Sequence, residues 1–250
     1  FPQWSPDGTL VAASRFTTNG MRSQLELIPL DVSESTLIGP EEGNVGTWAF
    51  SPDGGRIVFT GDTKQTSQTD FFVYTLASGD LRRVTADLQS LPAAGFPTLE
   101  APSHPAWLDD SHAMFHAVRA GAGGIYVIDL GSGAVEQIEE GKSLRSGFST
   151  DAAHRYVAQG VASLDAVGEL LVFDRETGKS SQITEYSAPV FAETPTAKWE
   201  RFDISRGGYV IESWLLLPPG FDPSRKYPMV LDIHGGPNGF YGYGFVAMQQ

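Results

Sequence analysis

Near the carboxyl end of this 250-residue sequence, one short run has the residue types and spacing for chemistry: His234-Gly235-Gly236-Pro237. Paired glycines let a backbone bend sharply and bring bare N–H groups against a ligand, where a Cβ would stand in the way. Such N–H groups make an oxyanion hole. They are fixed donors aimed at the oxygen that turns negative when a nucleophile attacks an ester or amide carbonyl. The competing reading is a tight turn with no ligand.

The element expected to carry this loop is the stretch before it, Tyr227-Pro228-Met229-Val230-Leu231-Asp232-Ile233. An apolar run bounded by Tyr-Pro and His-Gly-Gly-Pro predicts a buried central strand. Its loop would then leave at the sheet's carboxyl edge, where open α/β sheets place their ligands.

The first three quarters of the chain repeat. Ser5-Pro6-Asp7-Gly8 returns 46 residues later as Ser51-Pro52-Asp53-Gly54, with weaker echoes at Leu108–Ser111 and Ser149–Ala152. An aromatic stands before each copy (Trp4, Phe50, Trp107, Phe148) and an alternating or apolar strand follows it: Thr9–Phe16, Arg56–Thr60, His112–Arg119 and Arg155–Val161. Further strands are predicted at Gln24–Leu30, Phe71–Leu76, Gly124–Leu130 and Glu169–Asp174. Short closing strands end in Arg82-Arg83-Val84-Thr85 and Ser181-Gln182-Ile183-Thr184. Units of four short strands in roughly 40–50 residues are the pattern of β-propeller blades. The box itself is structural: proline presets φ, aspartate accepts from nearby backbone N–H groups, and glycine takes the positive φ. The preceding aromatics are expected to pack one blade on the next. His104, His112, His116 and His154 lie in blade strands or turns without a carboxylate-rich ligand set, so no metal site is expected.

Composition narrows the classes. A formal net charge of −13 argues against nucleic acid or an anionic membrane surface as partner. Zero cysteines remove disulfides, thiolate metal sites and a cysteine nucleophile together. No apolar stretch reaches the ~18 residues of a membrane span. No leader is visible, which favours a cytoplasmic protein, although the chain opens as if already inside a strand and its natural amino terminus reads as missing. The last residues, Val246–Gln250, read as the first turns of a helix.

Residues 187–198, with two prolines and no clean period, read as a linker after blades spanning 1–186. Beyond it, Trp199–Ser205 and Tyr209–Leu217 are predicted strands joined by Arg206-Gly207-Gly208, a hairpin turn. Hairpin, connector, apolar strand and glycine loop over 199–250 read as the opening of an α/β-hydrolase domain.

With those residues in view, the chain resembles the prolyl oligopeptidase family of serine peptidases, most of all its acylaminoacyl-peptidase branch. The resemblance is specific over Trp199–Ile204, Trp214–Gly220, Tyr227-Pro228, His234–Pro237 and Tyr241–Phe245 with Met248-Gln249-Gln250, and weaker through the blades. It implies about four blades of a larger propeller followed by the start of the hydrolase domain. It also implies short peptide substrates, with the propeller gating access and release of acylated or free amino-terminal residues. No cofactor is implied, and a homo-oligomer is left open. By position, the N–H of Gly236 falls in the oxyanion hole, Gly235 shapes the turn, and His234 supports the loop by hydrogen bonding. One departure is plain: no Gly-x-Ser-x-Gly occurs in the 250 residues, so the Ser/Asp/His set is expected on the remainder of the hydrolase domain. A carboxylesterase of the same architecture and a non-catalytic TolB-like propeller stay open as alternatives.

Overall fold

The structure, a computed structural model, describes residues 2–17, 22–64, 68–90, 92, 103–235 and 239–245. The predicted helix over Val246–Gln250 lies outside the described residues.

Four antiparallel four-stranded sheets follow one another along the chain. The first holds β1 (Gln3–Trp4), β2 (Leu10–Thr17), β3 (Arg22–Pro29) and β4 (Thr36–Ile38). The second holds β5 (Asn44–Phe50), β6 (Arg56–Asp62), β7 (Asp70–Thr75) and β8 (Asp80–Arg83). The third is β9 (Ala106–Trp107), β10 (His112–Arg119), β11 (Ala122–Asp129) and β12 (Val135–Glu140). The fourth is β13 (Leu144–Thr150), β14 (Tyr156–Ser163), β15 (Ala166–Asp174) and β16 (Lys179–Gln182). In every sheet the spatial order of strands follows the chain order, which is the meander of a propeller blade.

By backbone proximity the chain divides into two compact units. One is Phe1–Ala93 with Pro102–Ala117 and Ile125–Glu139; the other is Ala94–Ala101, Val118–Gly124 and Glu140–Gln250. In the first unit, the period-two alternation of strands sorts the core. On β6 and β7 of the second sheet, Ile57, Phe59 and Phe72 join Ala12, Leu25 and Trp48 in one apolar cluster. Val58, Phe71 and Val73, one step along the same strands, join Trp107, Phe115 and Ile128 in another. Side chains alternate across a sheet, so a strand apolar at every position is one covered on both faces. Phe59 pairs with Phe72 across the strands and stacks on it at 5.2 Å.

The Ser-Pro-Asp-Gly boxes act as expected. Ser51 donates its hydroxyl to Asp53 at 2.5 Å and accepts the Arg56 N–H at 2.9 Å, while Asp53 accepts the Gly55 N–H at 3.0 Å. Gly54 takes φ +72°. The weak echoes keep the acceptor: Asp109 takes the N–H of Ser111 at 2.7 Å, and Asp151 that of Tyr156 at 2.8 Å. The aromatics before the boxes differ among themselves. Trp107 is buried and its indole N–H donates to the Ala49 carbonyl at 3.1 Å. Trp4, expected to pack between blades, is instead 63% exposed; both tryptophans sit on two-residue edge strands, so the difference lies in what covers the ring and not in the strand that carries it.

A second regularity was not anticipated. Asp70, at the start of β7, is buried and accepts the Thr85 hydroxyl at 2.8 Å, while Thr85 accepts the Phe71 N–H at 2.9 Å. In the fourth sheet, Glu169 accepts the Thr184 hydroxyl at 2.5 Å, and Thr184 accepts the Leu170 N–H at 2.8 Å. Each is one brace from the third strand to the end of the fourth. Its trace in the sequence is the Val-Thr and Ile-Thr that close the two units. Among the described residues no helix is long and apolar enough to cross a membrane.

Candidate active site

In the second unit, the chain leaves the fourth sheet at a pinned point. Glu169 also accepts the N–H groups of Tyr186 at 3.0 Å and Ser187 at 2.7 Å, and the Ser187 hydroxyl accepts the Val167 N–H at 3.1 Å. The Thr184 hydroxyl, followed by these backbone donors, holds the Glu169 carboxyl down to about 2. The stretch read as a linker contains a short helix, α1 (Ala188–Glu193).

Next comes the predicted hairpin, β17 (Lys198–Arg206) and β18 (Tyr209–Leu217), turned by Gly207 and Gly208 at positive φ. Its register pairs Trp199 with Leu216, Arg201 with Trp214 and Asp203 with Glu212, so these six share one face. Arg201 lies between the two acids, 3.1 Å from Asp203 and 3.2 Å from Glu212. The opposite face carries Phe202, Ile204, Ile211 and Tyr209, all exposed.

The stretch that should bear the loop departs from expectation. Residues 226–235 form no strand, and Met229, Val230, Leu231 and Ile233 are exposed, Val230 by 90%. The buried central strand read from 227–233 is therefore corrected. An apolar run becomes a strand only where neighbours take its N–H and C=O groups and other layers cover its side chains. None of the described strands pairs with it.

The loop itself is nevertheless cross-braced. The Tyr241 hydroxyl donates to Asp232 at 2.9 Å. The His234 ring meets the Tyr241 ring edge-on at 6.0 Å, and its Nδ1 lies 3.3 Å from the Gly235 carbonyl. Gly239 packs so closely on the Gly235 carbonyl that a Cβ would overlap it. His234 and Gly235 thus stand exposed at one shoulder of the loop, whereas Gly236, the expected donor, lies outside the described residues together with 237 and 238. At the other shoulder Tyr243 is buried. Its ring stands edge-on to Trp199 at 5.7 Å and to Trp214 at 5.9 Å, and its N–H donates to the Gly121 carbonyl at 2.9 Å.

The histidines of the sheets have local partners. His104 lies 2.8 Å from the Trp48 carbonyl, and burial lowers its pKa from the ordinary value. His112 sits 2.9 Å from Asp109, His154 contacts Thr150 at 2.9 Å, and His116 is buried in β10.

No protein-family model matches the chain. Dipeptidyl-peptidase 5 of Porphyromonas gingivalis is 26% identical over 247 residues, covering 94% of this chain and 34% of that protein. The chain spans about a third of the length of this curated relative. Among solved structures, acylaminoacyl peptidase of Pyrococcus horikoshii superposes with a TM-score of 0.68 at 19% identity, over 98% of this chain and 36% of that one. TolB from Acinetobacter baumannii superposes with a TM-score of 0.56 at 21% identity, over 86% of this chain and 51% of that one. Both structural likenesses concern the fold. In sequence and in fold, the chain resembles the prolyl oligopeptidase family of propeller-bearing peptidases.

Proposed function

We propose that this chain supplies the propeller blades and the oxyanion loop of a serine hydrolase that cleaves short peptides. It would release acylated or free amino-terminal residues, with the propeller limiting access. Residues 1–186 are its blades, 187–198 the linker and 199–250 the start of its catalytic domain. The observation that carries this reading is the reach of the peptidase relative: 94% of the chain takes in both the blades and most of the residues after the linker. A propeller serving only as a binding module has no reason to continue into a hairpin and a His-Gly-Gly-Pro loop.

In this mechanism a serine oxygen on the remainder of the domain attacks the substrate carbonyl carbon, and its proton passes to a histidine. The carbonyl oxygen becomes an oxyanion held by the Gly236 N–H and by the N–H after the nucleophile. The histidine then gives that proton to the leaving amine as the C–N bond breaks, and water, deprotonated by the same histidine, hydrolyses the acyl-serine to release the acid and restore the serine. Gly235 bends the backbone and His234 holds the loop.

The test is turnover by the full-length protein of N-acylated aminoacyl amides, dipeptidyl amides and the matching esters, beside a folded protein. Cleavage of the amides with the folded protein left intact supports the reading. Ester turnover alone points to a carboxylesterase, and equal cleavage of the folded protein removes the gating role.

A further inference from the structure

The loop's second shoulder is not held by its own hairpin alone. The turn between β10 and β11 of the third sheet reaches it, and that turn belongs to the same compact unit as residues 140–250. Ala120 and Gly121 both take positive φ, +50° and +70°, the pattern of a two-residue hairpin turn with right-handed strand twist. For alanine that conformation is costly and persists where surroundings impose it. The surroundings here are specific. A Cβ on Gly121 would lie 2.9 Å from Trp214 Cζ2 and 3.2 Å from the Gly242 Cα, so the turn fits between hairpin and loop only as glycine. The Gly121 carbonyl accepts the Tyr243 N–H, and Gly242 sits against Leu144 at the start of β13. Back along the chain from Tyr243, Tyr241 meets Asp232 and His234, and Gly239 packs on Gly235.

We propose that the Ala120–Gly121 turn and Tyr243 form a positioning device that holds the oxyanion loop in register, so that a blade of the propeller supports catalysis as well as access. The proposal rests on the hydrolase reading above. Its physical basis is that an oxyanion donor works only when fixed before charge develops, and a displacement near 1 Å can cost roughly a hundredfold in rate. A loop rich in glycine lacks side chains to fix itself, so an external clamp supplies the rigidity.

The test uses full-length protein carrying Gly121→Ala, Tyr243→Ala or Tyr243→Phe. Three readouts are taken: kcat and KM on an N-acylated aminoacyl amide, inhibition by a peptidyl trifluoromethyl ketone, and amide hydrogen exchange. The ketone forms a tetrahedral oxyanion adduct with the serine. Gly121→Ala and Tyr243→Ala should lower kcat by roughly tenfold to a hundredfold, weaken the ketone in parallel, and leave KM and product affinity within about threefold. Exchange should quicken at the Tyr243 amide, which donates to the Gly121 carbonyl, and stay unchanged over 156–174. Tyr243→Phe keeps both ring contacts and should restore kcat. Unchanged kcat, ketone affinity and loop exchange in both damaging variants would overturn the proposal while wild-type turnover keeps the hydrolase reading. An equal rise in KM and product dissociation constant would also overturn it, making the turn a wall of the substrate site. Absence of wild-type turnover on every amide and ester sinks the hydrolase reading, and this proposal falls with it.

Discussion

Replacing Thr85 by valine isolates the brace that closes the second sheet. Valine keeps the shape of threonine, so no cavity opens and the effect is one of unmet hydrogen bonds. Two buried groups lose a partner. The Phe71 N–H loses its acceptor at 2.9 Å, in a residue with no exposed surface. The Asp70 carboxylate, 1% exposed, loses its donor at 2.8 Å and keeps Arg83 at 3.1 Å with a long contact to the Leu88 N–H at 3.4 Å. A buried group left unsatisfied costs about 1–3 kcal/mol, and a gained apolar methyl returns ~0.8 kcal/mol. The net loss should therefore be about 1–5 kcal/mol, centred near 3. At about 1–3 kcal/mol per molar of urea, the midpoint should fall by about 1 M or more, with the slope unchanged. The assay is urea unfolding followed by tryptophan fluorescence. Thr184→Val, at the corresponding but less buried hydroxyl of the fourth sheet, should cost less, because water can replace what is lost. A loss below about 1 kcal/mol for Thr85→Val, or a larger loss for Thr184→Val, would refute the accounting.

Phe59→Ala removes a fully buried ring stacked on Phe72 and should destabilise by about 3–5 kcal/mol, read from the same unfolding curve; a loss under about 1 kcal/mol would mean the core there is not packed as described. Gly168→Ala is the contrasting case: its Cβ would meet nothing within 4 Å, so stability should stay within ~0.5 kcal/mol or rise slightly. Acid should act late. Glu169, Asp109 and Asp174 are each held down to about 2, chiefly by the Thr184 hydroxyl, the Ser111 N–H and the Arg155 guanidinium. Their folded-state values lie below the ordinary ones, so their contribution is complete above about pH 5 and is lost as pH falls toward 2. Urea midpoints that hold from about pH 7 to 5 and drop by about pH 3 fit this reading; equal midpoints at about pH 5 and 3 refute it.

The sequence alone determined the blades, because their signals are local. Period-two alternation names a strand without reference to any partner, and the Pro-Asp-Gly box closes its turn with its own serine and aspartate. Tertiary structure decided what needs a partner from elsewhere in the chain. The apolar run 228–233 has the composition of a buried strand, yet without paired neighbours it forms no strand and its apolar side chains stay exposed. Trp4 and Trp107 precede equivalent boxes, but only Trp107 finds a covering layer. The braces at Asp70 and Glu169 recur at the same 15-residue spacing in two units, yet which carboxylate meets which hydroxyl shows only in the folded sheet, and the Gly121–Tyr243 clamp joins residues that no sequence period relates. Their energies depend on burial and on distances of about 3 Å, and both arise only once the sheets have packed.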